Sequence, residues 1–361
     1  MKILAINPGS TSTKISLCED EEIVMVDDIF HDAPELLKYH HVNDQIPFRK
    51  KIIENSLSKH GYSLNEVDVF VGRGGSAMPC RSGVMHISRK LYDDTSAAVG
   101  GSEHPAKLGV MMAYEYGKEY GKEAYTLNPT NVDELIDIAR ITGINGIYRN
   151  AQAHVLNQKA VAMHHSQKFG TKYEERNYIV AHIDGGITVN AHRKGKMIDG
   201  NVGSGGDGPF TPTRIGSIPV LPLLDYIEEH GIDEVRRMCS RSGGFVSYFK
   251  TSDANKIHKL VEEKDKKAVL IWESMLYQIS KEIGSMAVSL EGQVDAILLT
   301  GGLLRFDDIS EYIRSKCNWI APIYAYPGEM EQETMTSETL KALRGETEII
   351  EYDGVPVWKG I

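Results

Sequence analysis

Short apolar runs alternate with polar, turn-rich stretches from the first residues onward. Lys2–Asn7, Lys14–Cys18 and Ile23–Asp27 are apolar runs separated by tight turns, and they predict three strands with an antiparallel start. Phe48–His60 predicts a helix, and Val67–Gly72 a buried strand ending in Arg73-Gly74-Gly75. Lys107–Tyr120 is helical in pattern, and Ala124–Leu127 is a strand stopped by Asn128-Pro129. Asp133–Ile141 reads as a helix with Gly143 as its stop, followed by a helix over His154–Lys168. Tyr178–His182 then runs as a strand into Asp184-Gly185-Gly186, with strands over Thr188–Arg193 and Lys196–Asp199.

The second half therefore repeats the opening rhythm of strand, Gly-rich turn, strand, strand. Two such units predict two similar α/β domains facing each other across a cleft. Val269–Leu290 predicts a long amphipathic helix, Asp295–Thr300 a buried strand delivering Gly301-Gly302, Ile320–Tyr326 a last strand, and Thr334–Arg344 a terminal helix. The expected division is residues 1–149 and 150–333, with 334–361 packing back on the first domain.

Composition narrows the class. The 361 residues are too many for one ordinary core, and 41% hydrophobic residues are normal for a globular chain. A formal net charge of −10 disfavours nucleic acid as a partner, although a local cluster of arginines and N–H groups can still hold an anion. No apolar run is long enough for a transmembrane helix, and the short apolar start reads as a first strand rather than a signal peptide, which predicts a cytoplasmic protein. Cys18, Cys80, Cys239 and Cys317 are scattered without a C-x-x-C pair, so neither a zinc site nor a disulfide framework is expected.

Candidate chemistry sits at strand ends. The loop Asn7-Pro8-Gly9-Ser10-Thr11-Ser12-Thr13 leaves a strand directly, and its hydroxyls and turn N–H groups suit phosphate oxygens. It lacks the Walker pattern, and on its own a polar hairpin explains it equally well. Three further glycine pairs at strand ends, Gly74-Gly75, Gly185-Gly186 and Gly301-Gly302, favour a ligand with several phosphates. Arg73 and Arg214 are candidate anion clamps, since guanidinium presents a planar fork. His154 and His182 are the candidate histidines, with His182 following a strand and preceding a Gly turn, whereas His164-His165 reads as a solvent-facing pair.

These segments together resemble the acetate/butyrate kinase family, and within it the butyrate kinases. The resemblance is carried by Ile6–Lys14, Gly72–Gly75, Glu103-His104, Val132–Glu134, His154–Ala162, Ala191–Gly195, Gly208–Phe210, Val294–Leu303 and Ala321-Pro322, in the family's order. It implies the fold shared by acetate and sugar kinases, heat-shock ATPases and actin: two actin-like, ribonuclease H-like domains with a nucleotide cleft. It implies ATP/ADP and Mg²⁺ as cofactors, a short-chain carboxylate or acyl phosphate as substrate, and a homo-oligomer. The implied reaction joins butanoate and ATP to butanoyl phosphate and ADP, reversibly. By position, Arg73 and Arg214 correspond to arginines around the transferring phosphoryl group, His154 to a phosphoryl-contacting histidine and Asn128 to an acidic catalytic residue. Asn7, Ser10 and Thr11 resemble a first phosphate loop, and His182, Asp184, Gly185 and Gly186 a second. Gly301-Gly302 resembles the turn under the adenosine, and Glu331 an acid linked to magnesium.

The chain departs from this pattern at the site itself. Asn128 stands where the family has Asp, Asp184 where it has Gly, and Gly205 where it has Asp. The segment Gly75–Cys80 is less apolar than the family's Pro-rich stretch. Two readings remain open: an active carboxylate kinase, favoured by Arg73, Arg214 and His154, and a catalytically weakened nucleotide- or acyl-phosphate-binding relative, favoured by Asn128 and Asp184.

Overall fold

A computed structural model describes residues 1–36, 38–101, 104–203 and 205–361; Glu103, within a stretch compared above, lies outside the described residues. The chain forms two compact units, residues 1–133 with 330–361, and residues 134–329. The division thus falls at Asp133/Glu134 and Glu329/Met330, not at 149/150 and 333/334.

The first unit is built on a mixed sheet. Strands β1 (Lys2–Pro8), β2 (Ser12–Glu19), β3 (Glu22–Phe30), β4 (Val69–Gly72), β5 (Val84–His86) and β6 (Glu123–Leu127) join the short strand Ile349–Ile350 in the order Ile349–Ile350, β5, β6, β4, β1, β2, β3. β1 is antiparallel to β2 and parallel to β4. Ile3, Leu4, Ala5 and Ile6 on β1 are fully buried, as a central strand with both faces covered requires. The helix Lys107–Tyr120 lies close on this sheet. Gly72 and Gly109 permit that approach, because a Cβ on Gly72 would sit 2.0 Å from the Gly109 carbonyl oxygen.

The second unit repeats the design. β7 (Asn177–Ile183), β8 (Ile187–Arg193), β9 (Lys196–Gly200), β10 (Ala296–Gly301) and β11 (Ile323–Pro327) form a sheet ordered β11, β10, β7, β8, β9. Here too the first strand is antiparallel to the next and parallel to the strand on its other side. The predicted strand–turn–strand–strand repeat is present in both units. The amphipathic helix Lys266–Ser289 buries Trp272, Met275, Ile279 and Ile283 against the apolar faces of β7 and β8.

One predicted helix is largely absent. Only Asp137–Arg140 is helical within 133–141. Tertiary pairings take the remaining backbone and side chains instead: Ile136 N–H donates to Ile198 O at 3.0 Å, and Glu134 accepts the Met197 N–H at 2.8 Å. Local helical pattern yields to such contacts readily.

His164 is exposed, but His165 is buried, which corrects the expectation for the pair. The ring sits among Phe169, Tyr178, Tyr324 and Tyr326, with Nδ1 2.7 Å from the Tyr326 hydroxyl. Burial, reinforced by Lys168 and His164, depresses its pKa from 6.5 to about 4. The unfolded chain therefore takes up a proton near pH 6.5 that the folded chain refuses until about pH 4. Stability contributed by neutral His165 is full above pH 6.5 and declines as pH falls through that window. His165→Phe is expected to flatten the pH dependence of urea midpoints between pH 6.5 and 4; an unaltered slope would refute the assignment.

Candidate functional site

In the first unit, Asn7 ends β1, Arg73 follows β4, and Glu331 opens the helix Glu331–Leu343. The sheet register brings the first two together: Ile6 pairs with Gly72, and Arg73 N–H donates to Ile6 O at 2.9 Å. Asn7 Nδ2 donates to Glu331 Oε2 at 2.7 Å, Arg73 Nη1 donates to Asn7 Oδ1 at 3.3 Å, and Arg73 Nη2 lies 3.2 Å from Glu331 Oε1. Glu331 is 1% exposed and Arg73 12%, so this ion pair is nearly dry. Glu331 is a carboxylate that holds both Asn7 and Arg73 in fixed orientations.

The loop after β1 is braced by a residue that sequence reasoning missed. Arg49, fully buried on the helix Ile46–Lys59, donates to Gly9 O, Ser12 O, Thr13 Oγ1 and Gln45 Oε1 at 2.8–3.1 Å. Gly9 N–H is committed to Ser12 O, which makes the turn a closed hairpin, whereas Ser10 and Thr11 remain exposed. The turn is a closed polar hairpin with two exposed hydroxyl residues at its tip. Arg49 lies inside a predicted helix with no motif around it, so nothing in the letters marked it.

Asn128 follows β6 with φ +42°, a left-handed conformation that asparagine tolerates better than most residues. It is buried, and its Oδ1 accepts the Gly83 N–H at 2.8 Å. Gly74 and Gly75 do not behave as open phosphate-facing turns. Both are buried, and a Cβ on either would meet Thr126 Oγ1 at 2.6 Å or Thr130 Oγ1 at 2.5 Å. Their smallness serves packing.

The second unit gathers its own cluster at the ends of β7 and β10. His154, immediately before the helix Val155–Lys168, stacks on His182 with ring centroids 3.8 Å apart. His154 Nδ1 meets Thr188 Oγ1 at 2.8 Å, and Gln158 Nε2 donates to the same hydroxyl at 2.8 Å. His182 Nδ1 is 2.9 Å from Asn157 Nδ2, which also reaches Thr300 Oγ1 at 3.1 Å. Asn157 and Thr188 were not foreseen; the i, i+3 spacing of Asn157 from His154 was the available signal.

Arg214 comes from the loop 209–217. Its backbone N–H donates to Thr211 Oγ1, which donates in turn to Gly185 O at 2.8 Å. Its Nη1 donates to Gly203 O. A Cβ on Gly186 would lie 2.5 Å from Arg214 Nη1, so the glycine is what lets the guanidinium lie along the turn. Burial lowers the Arg214 pKa, which raises the benefit of an anionic neighbour. The buried Nε atoms of Arg73 and Arg214 have no hydrogen-bond partner among the described residues.

Asp184 ties the turns together. Its Oδ1 accepts the Gly185 N–H at 2.8 Å and its Oδ2 the Gly302 N–H at 3.0 Å. Gly185 itself is exposed, with nothing within 4 Å of a would-be Cβ. Gly301 has φ +106° and packs on Ile183 O, a conformation and approach open only to glycine. Two N–H groups that could face a phosphate are therefore occupied by a carboxylate of this chain.

Known proteins match this chain in part of its sequence and in its fold. Residues 142–315 match the acetokinase family. The fold is that of the acetate kinases. An acetate kinase from Porphyromonas gingivalis superposes with TM-score 0.74 at 18% identity, covering 95% of this chain and 99% of that one. An acetate kinase from Entamoeba histolytica gives 0.72 at 16% identity, covering 95% and 99%, and a propionate kinase from Francisella tularensis 0.69 at 17%, covering 93% and 98%. The acetokinase stretch lies wholly in the second unit and contains His154, His182, Asp184, Arg214 and Gly301-Gly302. Asn7, Arg73, Asn128 and Glu331 lie outside it. No helix among the described residues is long and apolar enough to cross a membrane.

Proposed function

We propose that this chain transfers a phosphoryl group between ATP and a short-chain carboxylate, with butanoate the acid to test first. The observation that carries the reading is the gathering of His154, His182 and Arg214 around the C-terminal end of β7 within the acetokinase stretch. Carboxylate and phosphate repel, so this chemistry depends on positioning and charge stabilisation more than on covalent help. Arg73, oriented by Glu331 and Asn7, would bind equatorial phosphoryl oxygens, and Arg214 would do the same from its Thr211-anchored loop. His154 would donate a hydrogen bond to the transferring group, with Thr188 fixing its ring. Ser10 and Thr11 would offer hydroxyls to phosphate from a hairpin held rigid by Arg49.

Mg²⁺ would neutralise charge on the nucleotide phosphates. Glu331 would serve as one of the one or two carboxylates Mg²⁺ commonly takes only by yielding its Asn7 or Arg73 contact, since both of its oxygens are engaged and it is 1% exposed. Asn128 offers at most a neutral oxygen. A homo-oligomer, dimer or larger, belongs to the same proposal and is tested by light scattering.

A second reading, that of a weakened relative, is favoured by the hold of Asp184 on the Gly185 and Gly302 N–H groups. Asp184→Gly is expected to tighten binding of metal-free ADP about tenfold, which corresponds to ~1.4 kcal/mol of relieved repulsion. Calorimetric titration in EDTA measures this, and an equal affinity would mean that the carboxylate does not oppose phosphate.

The deciding experiment is a hydroxamate assay with ATP, Mg²⁺ and, in turn, acetate, propionate and butanoate. Acyl phosphate from one of these acids supports the proposal. Absence of product from all of them, with nucleotide binding intact, would establish the weakened-relative reading instead.

A further inference from the structure

Three ligating side chains of the second unit converge beside the Gly301-Gly302 turn. One ring nitrogen of His182, one carboxylate oxygen of Asp184 and one of Glu329 all lie within 4.8 Å of one another. The backbone builds this convergence. His182 and Asp184 leave the end of β7, and His182 pairs with Thr300 in the parallel register of β7 and β10. Asp184 then bonds to Gly302 N–H, just past the end of β10. Gly301 and Gly328 exchange two backbone hydrogen bonds, Gly301 N–H to Gly328 O at 3.0 Å and Gly328 N–H to Gly301 O at 3.1 Å. That bridge carries Glu329, the next residue, to the same turn.

We propose that His182, Asp184 and Glu329 form a binding site for a first-row divalent cation, separate from the carboxylate of Glu331. The donor set is one imidazole and two carboxylates, which suits Mn²⁺ or Zn²⁺ better than the all-oxygen preference of Mg²⁺. A cation ~2.0–2.2 Å from each ligand atom needs these atoms ~3–4 Å apart. Glu329 is exposed and can rotate to close the remaining distance, while buried His182 and the doubly bonded Asp184 stay fixed. The two N–H bonds to Asp184 do not exhaust it, since two carboxylate oxygens offer about four lone-pair directions. Asn157 provides the outer support that metal-bound histidines usually have. Asn157 Nδ2 stands 2.9 Å from His182 Nδ1; turning the amide would place its oxygen there to accept the ring proton, with the Thr300 hydroxyl donating to that oxygen in place of Gly328 O, and Nε2 would be the ligating atom. Amide nitrogen and oxygen are interchangeable in shape, so this assignment needs no movement of the backbone.

A cation here would also change the meaning of Asp184. Two carboxylates side by side repel an incoming anion; the same two holding a divalent ion, with coordination positions open, attract one. This consequence rests on the proposed kinase reading, whereas the site itself does not.

Titration of the full-length, nucleotide-free protein with Mn²⁺, followed by loss of the free-ion electron paramagnetic resonance signal, tests the site. One ion per chain is expected. Asp184→Asn and Glu329→Gln should each weaken binding at least tenfold, and Glu331→Gln should leave it unchanged. Glu329 is exposed, so Glu329→Gln is the variant whose folding is not in question. No stoichiometric binding by the wild-type protein, or binding that survives Glu329→Gln and disappears with Glu331→Gln, would overturn the proposal. Because nucleotide and carboxylate are absent from this titration, its failure leaves the kinase reading standing, and an inactive hydroxamate assay leaves the metal site standing.

Discussion

Arg73→Lys is expected to lower kcat for acyl phosphate formation by ~10²–10³-fold while moving the KM for ATP little, the size of effect seen when one preorganised donor to a transition-state oxyanion is removed. Lysine keeps the charge but not the fork. The Arg73 guanidinium spends Nη1 on Asn7 and Nη2 on Glu331, and this bidentate hold is what aims its remaining N–H groups. A lysine ammonium can satisfy Glu331 or reach the phosphoryl group, but it cannot present both in one fixed plane. Arg73→Ala should show a second effect on stability. Glu331 is 1% exposed, and losing Arg73 would remove a cation paired with a buried carboxylate. Breaking such a pair typically costs about 3–5 kcal/mol. Urea denaturation separates the two effects: Arg73→Lys should unfold near the wild-type midpoint and Arg73→Ala well below it. A kcat for Arg73→Lys within threefold of wild type would remove Arg73 from the chemistry.

The same cluster shows where sequence reading succeeds. Strands β1, β4, β7 and β10 are continuous apolar runs, so their existence and the polar residues at their ends were legible. Hence Asn7, Arg73, His182 and Gly301 were all correctly placed at strand termini. Parallel register then does the rest, because placing Ile6 opposite Gly72 automatically puts Asn7 beside Arg73. What could not be read were partners from distant chain segments. Arg49 braces the first loop from a helix whose pattern says only that one face is buried. Glu329 owes its position to a two-residue bridge between Gly301 and Gly328, which no local pattern encodes.

Glycine was the least reliable guide. Gly74-Gly75 and Gly185-Gly186 look alike as letters, yet the first pair is packed against Thr126 and Thr130 while Gly185 is open to solvent. The difference lies in what surrounds each turn, a tertiary property. Asp184 shows the converse. Its charge was legible as a departure, but its role in holding Gly185 and Gly302 depends on β10 lying beside β7. A residue that reads by its letters as a departure from the family pattern is a clasp between two loops.

Asn128→Asp is expected to raise turnover about 10²-fold and lower stability at the same time. The backbone there is left-handed, φ +42°, which aspartate tolerates nearly as well as asparagine. Asn128 N–H donates to Gly83 O at 3.2 Å, and its Oδ1 accepts the Gly83 N–H at 2.8 Å. An aspartate would keep one oxygen in that bond and place the second where the amide nitrogen now lies. The site is buried, so the new charge would be poorly solvated, and a cost of about 1–3 kcal/mol is expected in the absence of ligands. Bound Mg²⁺ and nucleotide would offset part of it, so the variant's melting temperature should rise more on adding Mg-ADP than that of the wild type. The gain in rate follows from supplying a positioned carboxylate, a device worth ~10²–10⁴-fold. Opposite signs in stability and turnover are the signature, because a merely disruptive substitution lowers both. Should turnover stay at the wild-type value while stability falls, residue 128 takes no part in phosphoryl transfer, and the asparagine is there for the left-handed turn and its bond to Gly83.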